Sequence, residues 1–172
     1  SKTVELMLSS VRPIELLFGK VLGKGLAGLL QYTIWVGVAL LLAEVVGPAA
    51  DFSVPPALNV GNLALLVLFF VLAFFLYAAS YGALGAGAQD EQHLGQLGIF
   101  LLIFLIVPLV LISSFIMNPS SSLVVGLSYF PMTSPIVMLI RVLLDPPAVW
   151  EVLLSVGILV VTIALVVWMS SK

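Results

Sequence analysis

The run LALLVLFFVLAFFLYAASYGALGA, residues 63–86, decides the fold class. It carries no charge anywhere along its length. As a helix rising 1.5 Å per residue it is about 36 Å long, enough to cross the roughly 30 Å hydrocarbon core of a bilayer. It lacks the polar–apolar alternation of a barrel strand, and a helix is the other form that satisfies its own backbone in lipid. Three further stretches have the same character, at about residues 25–46, 97–117 and 149–169. None has a charge near its middle, and Glu44 and Glu151 stand near span ends, where a carboxylate reaches water. The expected fold is an all-α integral membrane protein with four transmembrane helices.

Composition agrees with this reading. Of 172 residues 62% are hydrophobic and 8% are charged, with a mean hydropathy of +1.30. A water-facing globule carries about 25% charged residues, so a chain this poor in charge needs an apolar surrounding. The net charge of −2 gives no sign of nucleic acid binding. With no cysteine, disulfides and thiolate metal sites are excluded. The opening Ser1-Lys2-Thr3 has no initiator methionine and no signal-peptide layout, so a longer protein is expected, with its N-terminal part before Ser1.

Basic residues set the expected sidedness. Lys2, Arg12, Lys20 and Lys24 precede the first span and Lys172 follows the last, so four spans gather five of the six basic residues on one side. Arg141 alone falls opposite, while the short connection Gln89 to His93 contributes no Lys or Arg. Both ends are therefore expected in the cytoplasm, at the plasma membrane.

Two segments are not spans. Over residues 1–24, Val4, Met7, Leu8 and Val11, then Ile14, Leu17, Phe18, Val21 and Leu22, recur at helical spacing. Ser9-Ser10-Val11-Arg12-Pro13 interrupts them, and proline is at home in the first turn of a helix. Two amphipathic helices meeting at an elbow are predicted, the second running from Pro13 into the first span. Glu5, Arg12 and Glu15 fall on the polar side, with Leu6 off the apolar stripe beside them. Lys20 and Lys24 suit the lipid phosphate layer. Such an entry segment either rests on the membrane or docks a soluble partner, and periodicity alone favours the first.

The other segment, residues 118–147, is apolar but cut by Pro119, Pro131 and Pro135 into pieces of re-entrant length. Thr133-Ser134-Pro135 reads as a helix start with a hydroxyl cap and a first-turn proline. That helix would pass Met138 and Arg141 and stop before Asp145-Pro146-Pro147. Non-helical backbone at membrane depth persists where protein or water shelters it, so this hairpin is expected to plug or line the outer end of a cavity. The alternative is a hydrophobic loop lying flat on the outer leaflet.

Catalytic signatures are missing from the sequence. His93 is the only histidine, there is no HExxH pair, and no GxSxG elbow occurs. Gly19 to Gly25 imitates a phosphate loop, but Phe18 stands where its first glycine belongs and Gly25 replaces the Ser or Thr. The span interiors hold no ionisable residue of the kind an ion-coupled carrier uses. Small residues recur every fourth position at Ala78, Gly82 and Ala86, and at Ala79, Ala83 and Gly87, a pattern that lets helices approach closely.

Lys2-Thr3-Val4-Glu5-Leu6-Met7-Leu8-Ser9-Ser10, followed by Arg12-Pro13-Ile14-Glu15-Leu16-Leu17-Phe18-Gly19-Lys20, resembles the cytoplasmic loop of ABC exporter permeases. The similar group is the type-2 family with the sodium-efflux (Nat-type) permeases, in which a Glu-containing short helix, a Ser-Ser or Ser-Pro elbow and a Glu-Leu-x-x-Gly-Lys run lead into the third span. Leu127 to Pro135, continuing to Met138 and Arg141, is similar to that family's outer hairpin, and Gln89 to Gln96 to its short cytoplasmic turn. The likeness covers essentially the whole chain in order.

The resemblance implies a six-span permease of which this chain is the C-terminal part, with two spans and a large outer domain before Ser1. It implies two permease copies or halves pairing with two ATPase subunits. Residues 3–10 would be the coupling helix in an ATPase groove, with Glu5, Leu6, Ser9, Arg12 and Glu15 as the coupling set. Pro131, Thr133, Ser134, Pro135 and Arg141 would form the outer gate. The permease itself would need no cofactor, since ATP is bound by its partner. Substrates in that family range from sodium to drugs, lipids and peptides, and these residues do not select among them. An ATP-independent channel or scaffold built on the same helices is the alternative.

Overall fold

The structure, a computed structural model, describes residues 13–46, 59–87 and 91–170. Their ordered elements are all helices: α1 (Pro13–Val46), α2 (Val60–Gly87), α3 (Glu91–Val110), α4 (Ile112–Met117), α5 (Ser122–Tyr129), α6 (Ser134–Leu144) and α7 (Val149–Ser170). The chain divides into two units, residues 1–54 and residues 55–172.

In the first unit α1 runs unbroken, and its stretch Leu22–Val46 is long and apolar enough to cross a membrane. Thr33 lies inside that stretch and donates its hydroxyl proton to the Leu29 carbonyl at 2.8 Å. A hydroxyl bonded to the carbonyl four residues back needs no partner from outside its own helix.

In the second unit two helices meet the same length and composition test, Val60–Gly85 and Val149–Ser170. The stretch expected to form the remaining span behaves differently. It is divided at Leu111 into α3 and α4, and its apolar helix Gly95–Val110 is short by itself. Pro108 lies inside α3, where it removes one ladder bond and its ring crowds the carbonyl four residues back. Leu111 then has ψ 6°, well away from the helical value of about −42°. Helical bonds nevertheless cross the joint, from Leu111 N–H to the Val107 carbonyl and from Phe115 N–H to the Leu111 carbonyl, each at 3.0 Å.

The core of this unit is a seam between α2 and α7. Leu65, Phe69, Leu72 and Leu76 recur along α2 at a 4-3-4 spacing, and Val152, Val156, Leu159 and Ile163 do so along α7. That spacing is the apolar repeat of supercoiled helix pairs, and it brings one stripe of each helix together. Met138 and Val142 of α6 close the same cluster. Gly82 of the small-residue stripes gives no close approach, since a Cβ added there would meet nothing within 4 Å. Bulky side chains fill the seam instead. The close approach lies on α3, where a Cβ at Gly98 would stand 2.8 Å from Cε1 of Tyr81, whose hydroxyl donates to the Gly98 carbonyl at 3.3 Å.

Helices α4, α5 and α6 share a second cluster of Phe115, Val124 and Val137. Helix α6 starts at Ser134 and stops before Asp145-Pro146-Pro147, the bounds expected from sequence. The expected hydroxyl cap is not made. Thr133 occupies the cap position but has φ −104° and ψ −22°, a helical backbone rather than the extended one of a capping residue. Its hydroxyl turns back and donates to the Leu127 carbonyl at 2.7 Å. Side-chain capping occurs at α5, where Ser121 Oγ accepts from Val124 N–H at 3.4 Å. The hairpin is folded into the bundle rather than laid flat beside it: Pro135, Val137, Met138, Arg141 and Val142 are all buried, and α6 packs on α2 and α7. At the elbow the Tyr77 hydroxyl donates to the Met132 carbonyl at 2.8 Å. Tyr77 lies about 26 Å along α2 from Val60, so the elbow reaches past the middle of that helix.

Candidate functional site

The end of a helix leaves its last four carbonyls without partners inside the helix. At the end of α5 three of those carbonyls accept from nearby groups: Gly126 from Phe130 N–H at 3.2 Å, Leu127 from Thr133 Oγ1 at 2.7 Å, and Ser128 from Ser155 Oγ at 3.0 Å. One position earlier, Val125 accepts from Ser128 Oγ at 2.7 Å. The Phe130 carbonyl accepts from Ser134 N–H at 2.7 Å. The bond from Ser155 comes from α7, which makes that helix part of the elbow's own bonding.

An ion pair stands above this elbow. Arg141, in the last turn of α6, donates from Nη2 to Glu151 Oε2, in the first turn of α7, at 2.7 Å. Each charge sits at the helix end that favours its sign. Pro146-Pro147 cannot continue α6, and the reversal there sets the start of α7 beside it. The other arm of the guanidinium, Nη1, donates to Ser128 Oγ at 2.9 Å, and the Tyr129 hydroxyl donates to Glu151 Oε2 at 3.0 Å. The side chains of Arg141 and Glu151 are 7% and 18% exposed, so the pair is largely shielded even before lipid is considered. Burial first, and the hydrogen bond to Glu151 second, raise the Tyr129 phenol above its ordinary value. It therefore remains a proton donor across the physiological range. The hydroxyls of Ser134 and Ser155 bond to each other below the pair. Among the described residues, no buried side-chain nitrogen or oxygen lacks a hydrogen-bond partner.

Of the expected outer-gate residues, Thr133, Ser134 and Arg141 take part in these bonds. Thr133, Ser134, Pro135 and Arg141 are buried and Pro131 is half-buried at the elbow. Ser128, Tyr129, Glu151 and Ser155 join them beyond the residues expected from sequence, and Glu151 is bonded to Arg141 and Tyr129 rather than turned to water as its place near a span end suggests. A signal was available: Arg141 and Glu151 are opposite charges on either side of a Pro-Pro reversal, and Ser155 follows Glu151 by one helical turn. Of the expected coupling set, Glu5, Leu6, Ser9 and Arg12 lie outside the described residues, and Glu15 lies within α1. Chemically, the arrangement clasps α5, α6 and α7 together through charge-assisted bonds, which are shorter and stronger than neutral ones.

The chain matches the family described as ABC-2 family transporter protein across residues 1–172. It is 28% identical over its whole length to the uncharacterized protein YhaP of Bacillus subtilis (strain 168), covering 42% of that protein. It is also 28% identical over its whole length to the uncharacterized protein MJ1024 of Methanocaldococcus jannaschii, covering 41% of it. The chain thus spans about two fifths of the length of these curated relatives. No solved structure matches it.

Proposed function

This chain belongs to the ABC-2 transporter family, and from that premise we propose that it is a membrane portion of an ATP-driven exporter permease, moving substrate outward by coupling to a separate ATPase subunit. The observation that carries the reading is the family match along the entire chain. The hairpin clasp supports it, because a polar lock between a re-entrant elbow and a span suits an outer gate. In this reading α1, α2, the jointed pair α3–α4 and α7 are four spans. Residues 95–117, taken as one kinked rod, measure about 34 Å at 1.5 Å per residue, enough to cross. Residues 3–10 form the coupling helix, nucleotide binding belongs to the ATPase, and a second permease copy completes the pathway. The likeness to Nat-type permeases in the entry segment belongs to the same proposal.

The test of function uses the full-length protein reconstituted in vesicles with a candidate ABC ATPase subunit from the same organism. Co-purification of the two, and ATP hydrolysis that rises when the permease is present, are the expected results. Substrate movement that proceeds without any ATPase would transfer the reading to an ATP-independent channel.

Topology is tested separately. Because these 172 residues contain no cysteine, single cysteines can be introduced and labelled from either side. Sites near Ser1, His93 and Lys172 are expected to label from the cytoplasm, and sites near Asp51 and Ser121 from outside. External labelling near His93 would overturn the four-span arrangement.

A further inference from the structure

Helix α7 has two different sides. Val152, Ser155, Leu159 and Ile163 face the bundle, buried or partly buried against it. The opposite side carries Leu154, Val161 and Leu165, all exposed, and ends in a tryptophan at each extreme. Trp150 is 63% and Trp168 56% exposed, large values for the biggest apolar side chain. At 3.6 residues per turn the two stand about five full turns apart, on one line down the helix, and about 27 Å apart along its axis.

From this we infer that the Trp150–Trp168 stripe is a lipid-contact surface whose ends mark the two headgroup layers of the bilayer. An indole has an apolar ring and one N–H donor, so it settles where hydrocarbon meets water, and tryptophan gathers at both membrane interfaces for that reason. The axial separation of about 27 Å is close to the roughly 30 Å of a hydrocarbon core. Between the two indoles the stripe is entirely apolar, which suits acyl chains and offers a polar partner no hydrogen bond. The inference rests on α7 being a span and does not depend on the transport reading.

It also sets a depth for the clasp. Glu151 adjoins Trp150, so its pair with Arg141 lies at headgroup level. Ser155 lies about 6 Å further in than Glu151, placing its bond with Ser134 and the Ser128 carbonyl within the hydrocarbon. An unbonded hydroxyl or carbonyl at that depth would cost free energy, and the elbow leaves neither of these groups unbonded.

The experiment uses the full-length protein in phosphatidylcholine vesicles with bromines placed near the headgroup end or near the chain terminus. All other tryptophans are replaced by phenylalanine, leaving Trp150 or Trp168 alone, and Val161→Trp in a tryptophan-free background reports the middle of the same stripe. Trp150 and Trp168 should lose more fluorescence to the shallow bromines, and the tryptophan at 161 more to the deep ones. If all three give one profile, or if Trp150 and Trp168 escape both labels because another chain covers them, the inference is wrong. Should the heavily substituted proteins fail to fold, Trp150→Phe and Trp168→Phe in the natural protein answer the same question. Each should remove part of the shallow-quenched emission, and an unchanged shallow component in both would overturn the proposal.

Discussion

Arg141→Met alone is expected to destabilise the hairpin and α7 by about 1–3 kcal/mol, the cost of leaving a largely shielded, hydrogen-bonded carboxylate without its charged partner. Glu151 would remain a shielded carboxylate with only the Tyr129 hydroxyl on Oε2 among its side-chain partners. Ser128 Oγ would lose the donor at 2.9 Å that ties α5 to α6. Thermal unfolding of the purified full-length protein and limited proteolysis of the hairpin measure the loss.

The informative partner is the double variant Arg141→Met with Glu151→Gln. Removing both charges abolishes the stranded carboxylate, while the glutamine carbonyl still accepts from Tyr129. Well-packed neutral replacements of buried ion pairs are often close to neutral in stability. The double variant is therefore expected to recover most of the stability lost by the single one. If it regains stability yet stays deficient in ATP-driven transport, the pair serves gating as well as folding. A single variant as stable as the natural protein would mean that the ion pair does not hold the hairpin.

Leu6→Asp is expected to abolish stable association with the ATPase, while Glu5→Ala and Arg12→Ala weaken it much less. This follows from the proposed coupling helix at residues 3–10. A helix lying passively on a membrane has no use for a leucine among its polar residues. A helix seated in a protein groove does, because a buried apolar anchor ringed by charges gives a small interface most of its affinity. Burying one leucine is worth about 1.5–3 kcal/mol, whereas an exposed rim ion pair contributes at most about 1 kcal/mol. Aspartate at position 6 forfeits the first term and adds the cost of desolvating a charge. Co-purification with the ATPase and permease-dependent ATP hydrolysis are the measurements, with insertion checked by membrane fractionation. Intact assembly in Leu6→Asp would remove the coupling assignment.

Much of the hairpin was readable from composition and spacing. Prolines at 119, 131 and 135 act on their own backbone and on the residue before them, so the breaks they impose are local and visible in the chain. The bounds of α6 followed from the same residues. The cap at Thr133 is not made because its backbone is helical rather than extended, so its hydroxyl is not set to accept from the first amides of α6 and donates to the Leu127 carbonyl instead. The third apolar stretch shows a similar limit. Hydropathy is blind to the joint at Leu111, since a kink leaves composition unchanged.

What the sequence determined by itself is the class of the molecule. Long uncharged runs can satisfy their backbones in lipid only as helices, and that requirement needs no knowledge of neighbours. Which faces of those helices meet was decided by tertiary structure alone. The 4-3-4 stripes of α2 and α7 are two among several apolar faces in a chain that is apolar nearly all round, so hydrophobic periodicity had little contrast from which to choose. Bulky side chains select the seam by interlocking, a property of pairs rather than of residues. The clasp is of the same kind. Arg141 looked like a lone outer charge and Glu151 like a span-end carboxylate until the Pro-Pro reversal set α7 against α6. Burial then made that contact an ion pair, because a charge taken out of water requires a partner.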